Sequence, residues 1–308
     1  MKTIVKFKIA DITIQMQSEF ELEQLNEKEL REAKPERFNN FLYTGANEGK
    51  SDIIIDINIV DNFPEESGTE DIFITYHPEG HNENWRLQRK NGNYIYICPL
   101  ENKKQVMLVN RSFDRVAAYL HPKRDKGRVW NTNDIIYDFL QVILINYLAL
   151  HNEGIFTHSI GVKDNDGKGL LFAGKSGAGK STTARIWHKY SKAMVLNDDR
   201  VIVRRLNGKF FIYGSPWHGE FSDYLDSHLE SAALEKLFFI YHAPENCFGR
   251  VLGKEAFNLL YTALFPPFWD KEYLENVVSF THDLVTKVPC FNLGFLNNEK
   301  VIEFVRKI

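Results

Sequence analysis

The sequence predicts an α/β protein in which a β-rich N-terminal region, residues 1–130, precedes a mixed domain of strands and helices, residues 131–308. Short segments of alternating apolar character recur through the first region, as they do in half-buried strands. In the second region an apolar strand at residues 169–173 leads through a glycine-rich turn into a helix at residues 182–190. Strands that alternate with helices in this way are typical of an α/β fold.

Composition narrows the class of protein. The chain has 308 residues, of which 44% are hydrophobic, so it can build a sizeable core. Its net charge is -3, and this balance does not favour a nucleic acid or a membrane surface as partner. The three cysteines are widely spaced, which fits a reducing compartment. The first residues alternate charged with apolar side chains and do not resemble a signal peptide, so we expect a cytoplasmic protein.

The sequence of the β-rich region predicts a series of strands separated by turn-prone stretches. The predicted strands are residues 3–9, 12–16, 53–60, 72–76, 85–89, 94–98, 105–109 and 116–119. Asn91-Gly92 between two of them predicts a hairpin. The role of this region is not apparent from its residues.

A long apolar helix is predicted between residues 131 and 151. Asn131, Thr132, Asn133 and Asp134 offer N-cap side chains, and Gly154 follows the helix as a stop. Apolar residues cover most of its circumference, so we expect it to be buried against a sheet. We place the start of the second domain just before this helix.

Residues 174–181 match the phosphate-binding pattern G-x-x-x-x-G-K-[ST]. In this pattern successive backbone N–H groups turn inward around a polyphosphate, the lysine reaches the outer phosphates, and the hydroxyl ligates magnesium. The pattern therefore predicts a site for ATP and Mg2+. The nucleotide-binding residues would be Gly174, Ser176, Gly177, Ala178, Gly179, Lys180, Ser181 and Thr182. The alternative is a glycine-rich turn without a ligand.

The strand that delivers this loop is predicted to belong to a β-hairpin. Residues 154–162 read as a strand, residues 164–167 as a turn and residues 169–173 as the returning strand. Rossmann-like proteins instead feed such a loop from an inner parallel strand entered through a crossover.

Two adjacent carboxylates, Asp198 and Asp199, follow the apolar residues 193–196. Because neighbouring side chains of an extended backbone alternate, the two cannot point the same way. One could hold magnesium and the other could face an incoming hydroxyl as a general base. A solvated acidic turn is the alternative.

Further elements are predicted beyond the carboxylates. They are a strand at 201–203, a hairpin turn at 207–208, strands at 210–213, 234–241 and 288–293, and helices at 253–264 and 298–307. The segment 214–220 combines two glycines, a proline, an imidazole and a carboxylate, which suits a loop that faces a substrate. His218 and Glu220 are thus candidate residues of an acceptor site, unless the loop is purely structural.

Three motifs together resemble the catalytic domain of the HPr serine kinase/phosphorylase family. They are GKSGAGKSTT at residues 174–183, LNDDRV at 196–201 and THSIGV at 157–162. The resemblance covers residues 154–308 and implies a phosphate-loop fold shared with the phosphoenolpyruvate carboxykinases. The family's glycine-rich signature after the aspartate pair is missing here, so HPr is not the expected acceptor.

The resemblance also implies roles for individual residues. Lys180 would neutralise the transferred phosphoryl group, Asp198 would activate the acceptor hydroxyl, and Asp199 would bind magnesium together with Ser181. His158 corresponds to a histidine that lies near the catalytic aspartate in the family, although by itself it reads as a core or turn histidine.

We therefore expect an ATP- and magnesium-dependent kinase that phosphorylates a hydroxyl, with serine of a protein or peptide as the favoured acceptor. The resemblance is compatible with a homo-oligomer. Two alternatives stay open: a kinase of a small molecule such as an amino acid or a sugar, and a non-catalytic protein that uses ATP as a binding or assembly switch.

Overall fold

The computed structural model describes residues 3–20, 41–43, 49–64, 67–76, 83–100, 103–120, 139–219 and 230–308. It is a mixed α/β structure with two large sheets, and these ranges contain five α-helices. The chain divides into two compact units, Met1–Tyr147 and Leu148–Ile308. The predicted domain boundary, between residues 130 and 131, falls outside the described residues and stays a prediction.

The first unit contains one eight-stranded sheet. Its strands are β1 (Thr3–Ile9), β2 (Ile12–Ser18), β3 (Ile53–Ile59), β4 (Glu70–Tyr76), β5 (Glu83–Lys90), β6 (Asn93–Leu100), β7 (Lys103–Val109) and β8 (Arg115–Leu120). They lie in the order β1-β2-β3-β8-β7-β6-β5-β4, with β3 parallel to both β2 and β8. The strands predicted for the β-rich region are thereby confirmed.

Alternation of side chains decides which face of this sheet is buried. In β2 the side chains of Ile12, Ile14 and Met16 are buried, whereas the residues between them are half-buried. At the predicted hairpin, Asn91 and Gly92 both have positive φ, 51° and 80°, and they join β5 to β6. These angles match the right-handed twist of the flanking strands, so the hairpin prediction is confirmed.

Helix α1 (Gln141–Leu150) is the described part of the predicted apolar helix. Leu144 and Leu148 are fully buried, as expected from its apolar circumference. Asn146 is fully buried as well, and its amide lies 3.4 Å from the hydroxyl of Tyr96. The predicted N-cap residues lie outside the described residues.

The second unit alternates strands with helices. Its elements are β9 (Gly154–Lys163), β10 (Lys168–Ala173), α2 (Lys180–Tyr190), β11 (Met194–Asn197), β12 (Arg200–Leu206), β13 (Lys209–Tyr213), β14 (Ser231–His242), β15 (Cys247–Val251), α3 (Gly253–Tyr261), α4 (Lys271–Lys287), β16 (Cys290–Phe295) and α5 (Lys300–Arg306). The sequence did not predict β15 or α4. No helix in the described part of the chain has the length and apolar character needed to cross a lipid bilayer.

The strand β10 has neighbours on both sides. It is antiparallel to β9, which confirms the predicted hairpin, and it is also parallel to β14. The pairings β10–β9–β12–β13–β14–β10 close into a ring of strands. Because β14 and β16 run parallel to β10 and to each other, their carboxyl ends reach the same edge as the end of β10.

A hydrophobic cluster fixes helix α2 behind this edge. Trp187 of α2 is fully buried, and its ring lies 5.7 Å from that of Phe172 on β10. Phe172 stacks in turn on Phe238 of β14 at 5.2 Å. Since α2 starts at the end of the glycine-rich loop, this packing sets the position of the loop against the sheet.

Candidate active site

The predicted site residues converge on one edge of the second sheet. Ala173 ends β10 and pairs with Ser159 of β9, and the phosphate loop, residues 174–181, follows immediately. The neighbouring His158 of β9 pairs with Arg200, the first residue of β12. The carboxylate pair directly precedes β12. The register therefore brings the loop, the histidine and both carboxylates to the same edge.

Glycines are required in the loop because some of its backbone has positive φ and because neighbouring atoms leave no room for a side chain. Gly177 and Gly179 have φ of 77° and 96°, which L side chains rarely adopt. A Cβ added at Gly179 would lie 2.9 Å from the ring of Phe295, and one added at Gly174 would lie 3.0 Å from a carbonyl oxygen of β14. The loop is thus pressed against the ends of β14 and β16, where a larger residue does not fit.

The side chain of Lys180 folds back into the loop. Its Nζ donates to the carbonyl oxygens of Gly174, at 2.8 Å, and Lys175, at 3.2 Å. These bonds use two of the three donors of the ammonium group. Burial lowers the pKa of Lys180, and the opposing attraction of Asp199 is smaller. The ammonium is held at the centre of the loop, the position from which a lysine can meet a phosphate.

The amino end of α2 faces the loop. The helix starts at Lys180 with Gly179 as N-cap, and no side chain of the described residues caps its first N–H groups. Free N–H groups at a helix start bind anions, and the helix dipole adds to this attraction. Ser181 and Thr182, the next residues, are half-buried. The backbone and the two hydroxyls fit a bound phosphate.

A histidine from outside the loop contacts its tip. Nε2 of His242, the last residue of β14, donates to the carbonyl oxygen of Gly177 at 3.0 Å. Its ring lies 5.8 Å from that of Phe295. The strand predicted at residues 234–241 ends just before His242, and the sequence indicated no role for this residue. Its contact depends on the parallel pairing of β10 with β14, which has no local signal in the sequence.

The two carboxylates have different partners, although they lie in the bend between β11 and β12 and not on the extended backbone from which the sequence predicted their divergence. Asp198 is only 3% exposed, and its Oδ1 accepts a hydrogen bond of 2.8 Å from the backbone N–H of Gly219. Asp199 is 21% exposed and accepts from Nε2 of His158 at 2.9 Å. Its other oxygen lies 2.7 Å from Nη1 of Arg200. His158 therefore contacts the carboxylate that the resemblance assigns to the metal.

The environment of Asp199 favours its ionised form. Burial by itself disfavours the charge, but the hydrogen bond from His158 and the charges of Arg200 and Lys180 outweigh it. The pKa of Asp199 consequently lies below its ordinary value. Arg200 is held in place because its guanidinium also lies over the ring of Phe265, 4.2 Å from the centroid. An ionised carboxylate beside Lys180 can bind a divalent cation.

The loop after β13 lies over the carboxylates. His218 is buried, and its Nδ1 donates to the carbonyl oxygen of Gly219 at 2.8 Å. A Cβ added at Gly219 would lie 2.7 Å from Oδ2 of Asp198, so glycine is needed for this close approach. Glu220, the second predicted residue of the acceptor site, lies outside the described residues.

A magnesium ion at this edge of the second sheet would need ligands from a bound nucleotide as well as from the protein. Among the described residues, no group of three or more His, Cys, Asp or Glu side chains is arranged to hold a metal ion. Mg2+ in nucleotide sites is commonly held by one or two carboxylates together with substrate phosphates. Asp199 and the hydroxyl of Ser181 are of the chemical type required for such a site.

Comparison with known proteins gives little further information. No protein-family model matches the chain, and no curated protein matches it. Among solved structures, the chain is similar to the Hpr(Ser) kinase/phosphatase from Coxiella burnetii, with 10% identity over 49% of this chain and 86% of that chain. The TM-score is 0.29. A likeness of this size does not support a statement about the activity of the present chain.

Proposed function

We propose that the chain binds ATP with Mg2+ and transfers the terminal phosphoryl group to a hydroxyl. The observation that carries this proposal is the meeting, at one sheet edge, of a lysine-bearing phosphate loop with a pair of differently bound carboxylates. Phosphoryl transfer needs little more from a protein than positioning and charge stabilisation. A loop for phosphate, an ammonium group and two carboxylates meet that need.

The phosphates would be bound by the backbone of residues 176–181 and the start of α2. Lys180 would leave the carbonyl oxygens of its own loop and neutralise the transferred group. The exposed tip of the loop at Ser176 and Gly177 leaves room for a ligand to approach. This role fits the positive φ angles of Gly177 and Gly179 and the start of helix α2, which together favour a bound anion.

Asp199 and Ser181 would hold magnesium, which neutralises charge on the phosphates when it is bound. The lowered pKa of Asp199 supports this assignment, because a metal ligand must be deprotonated. His158 would orient Asp199 through the hydrogen bond at Nε2.

Asp198 would act as the general base. It would take the proton of the acceptor hydroxyl while that oxygen bonds to the γ-phosphorus and the bond from the γ-phosphorus to the bridging oxygen breaks, leaving ADP. Its Oδ1 accepts from the N–H of Gly219, and its Oδ2 lies close to where a side chain of that glycine would be, so the carboxylate faces the loop on the acceptor side. The preference for serine in a protein or peptide rests on the resemblance of the sequence motifs.

The test is transfer of label from γ-labelled ATP to an acceptor in a cell extract. We expect a labelled acceptor with the wild-type protein and a rate about 100- to 10,000-fold lower with Asp198→Asn, the usual contribution of a general base. Asp166→Asn, at an exposed carboxylate of the β9–β10 turn, is the matched control and should keep full activity. Tight binding of ATP without transfer or hydrolysis would refute the proposal.

One observation favours a second function, a non-catalytic switch that binds ATP. Asp198 is almost fully buried and is bound to the loop that covers it. If this loop does not move, an acceptor hydroxyl has no access to the carboxylate. The labelling experiment separates the two functions, because a switch binds ATP equally well with Asp198→Asn and labels nothing.

A further inference from the structure

We propose that Asn197 is a positioning residue that ties the loop of residues 214–219 to the turn bearing the two carboxylates. This inference rests on the proposed function, since it states how that site is kept in shape. Asn197 ends β11 and directly precedes Asp198. The sequence showed only a polar residue next to the carboxylates, and neither the resemblance nor the proposed reaction gave it a role.

The side-chain amide of Asn197 makes hydrogen bonds at both of its ends. Its Oδ1 accepts from the backbone N–H groups of Asp199, at 2.8 Å, and Arg200, at 2.7 Å. Its Nδ2 donates to the backbone carbonyl oxygens of Ser215, at 3.0 Å, and Trp217, at 3.1 Å. One planar group thus fixes the turn after β11 on one side and the loop after β13 on the other.

The burial of Asn197 makes the loss of any of its hydrogen bonds costly. Asn197 is 0% exposed, so water cannot replace a partner that is lost. A buried polar group left unpaired costs far more than the net contribution of one hydrogen bond to stability. The turn and the loop are therefore expected to keep this arrangement in the folded protein.

Two further side chains connect the turn after β11 with the loop of residues 214–219. The hydroxyl of Ser215 donates to the carbonyl oxygen of Arg200 at 2.6 Å. In the opposite direction, Asp198 accepts from the N–H of Gly219 at 2.8 Å. Asn197 directly precedes Asp198, and its amide bonds to the backbone of the turn through Oδ1 and to the backbone of the loop through Nδ2.

The coupling has a consequence for the reaction. Residues 214–219 are on the acceptor side of the proposed site, and Asp199 is on its metal side. A displacement of the loop is transmitted through Asn197 to the N–H of Asp199 and so to the direction of its carboxylate. Small displacements of catalytic groups lower a rate strongly while ground-state binding is kept.

The test compares Asn197→Asp with the wild-type protein. The substitution keeps an oxygen for the two N–H groups but replaces the donor to Ser215 and Trp217 with a second oxygen. Asn276→Asp is the matched control, because the amide of Asn276 also donates to a backbone carbonyl, that of Leu150 at 3.2 Å, outside the site. Phosphoryl transfer, ATP affinity and amide hydrogen exchange are measured on all three proteins.

We expect Asn197→Asp to lower kcat at least about tenfold while the Kd for ATP changes less than about twofold. Exchange of the Gly219 amide should become faster, and Asn276→Asp should leave kcat and this exchange unchanged. If Asn197→Asp does not fold, Asn197→Ser is measured in its place and interpreted by the same criteria, because it also removes the amide that donates to Ser215 and Trp217 and adds no buried charge.

The outcomes for this inference and for the proposed function are distinct. A wild-type protein that transfers no phosphate contradicts the proposed function, and the exchange of Gly219 still tests the link. Wild-type kcat together with wild-type exchange in Asn197→Asp overturns the role of Asn197, whether or not the protein is a kinase. A parallel loss of ATP affinity and kcat would also overturn it, since that pattern indicates general disruption of the site.

Discussion

The tip of the phosphate loop is contacted by the side chain of His242, the last residue of β14. Its Nε2 donates to the carbonyl of Gly177, and its Cε1 lies 3.1 Å from where a Cβ of Gly179 would be. Without this contact we expect the tip of the loop at Gly177 to be less ordered before a nucleotide binds. Ordering of a binding loop lowers affinity, and pre-organisation raises it.

We therefore predict that two substitutions of His242 differ in their effect on the affinity for ATP. His242→Leu removes the donor to Gly177 and should weaken ATP binding about five- to tenfold, the effect of about one hydrogen bond. His242→Gln retains an N–H donor and should restore most of the affinity. Calorimetric titration measures both. Equal affinities for wild type and His242→Leu would show that the contact does not order the loop.

A second residue-scale prediction concerns the pH dependence of stability at Asp199. Because its pKa is lowered in the folded protein, this carboxylate contributes stability that is fully present above its unfolded value of about 3.9. The contribution is lost as the pH falls through the lowered folded pKa. The difference in unfolding free energy between wild type and Asp199→Asn should thus be larger at pH 7 than below pH 3. A difference that does not change with pH would contradict this.

At the scale of elements, helix α2 is held by its aromatic face. Trp187 is fully buried against Phe172, whereas Tyr190 on the same helix is 51% exposed. Trp187→Ala should lower the unfolding free energy by about 3–5 kcal/mol, the usual cost of removing a large core aromatic. Tyr190→Ala is the matched control and should cost far less. Denaturant unfolding checks both, and similar losses would show that α2 does not depend on this packing.

Elements with a strong local pattern were predicted correctly from the sequence. The hairpin that carries the loop and the eight strands of the first unit are examples, because period-two alternation and Asn-Gly turns are local signals. Helix α4 was missed although Asp270 caps it and Tyr273, Val277 and Leu284 repeat on one side. Its many β-branched residues obscure that pattern. Strand β15 was missed because it is short and contains Gly249.

At the scale of the whole chain, the site depends on strand pairings between distant segments. The sequence indicated the loop, both carboxylates and His158, since each belongs to a local motif. It did not indicate His242 or the bonds of Asn197, because these follow from the pairing of β10 with β14 and from the fold-back of the loop after β13. Pairings of this kind are set by tertiary packing and have no signature within a short window.

The central claim is that residues 174–181 bind the phosphates of magnesium-ATP through Lys180, and calorimetric titration with magnesium-ATP tests it most directly. The account predicts binding by the wild-type protein, no detectable binding by Lys180→Ala, and wild-type affinity for Lys175→Ala, which changes an exposed lysine of the same loop. The same affinity in Lys180→Ala as in wild type, or no binding by the wild-type protein, would contradict it.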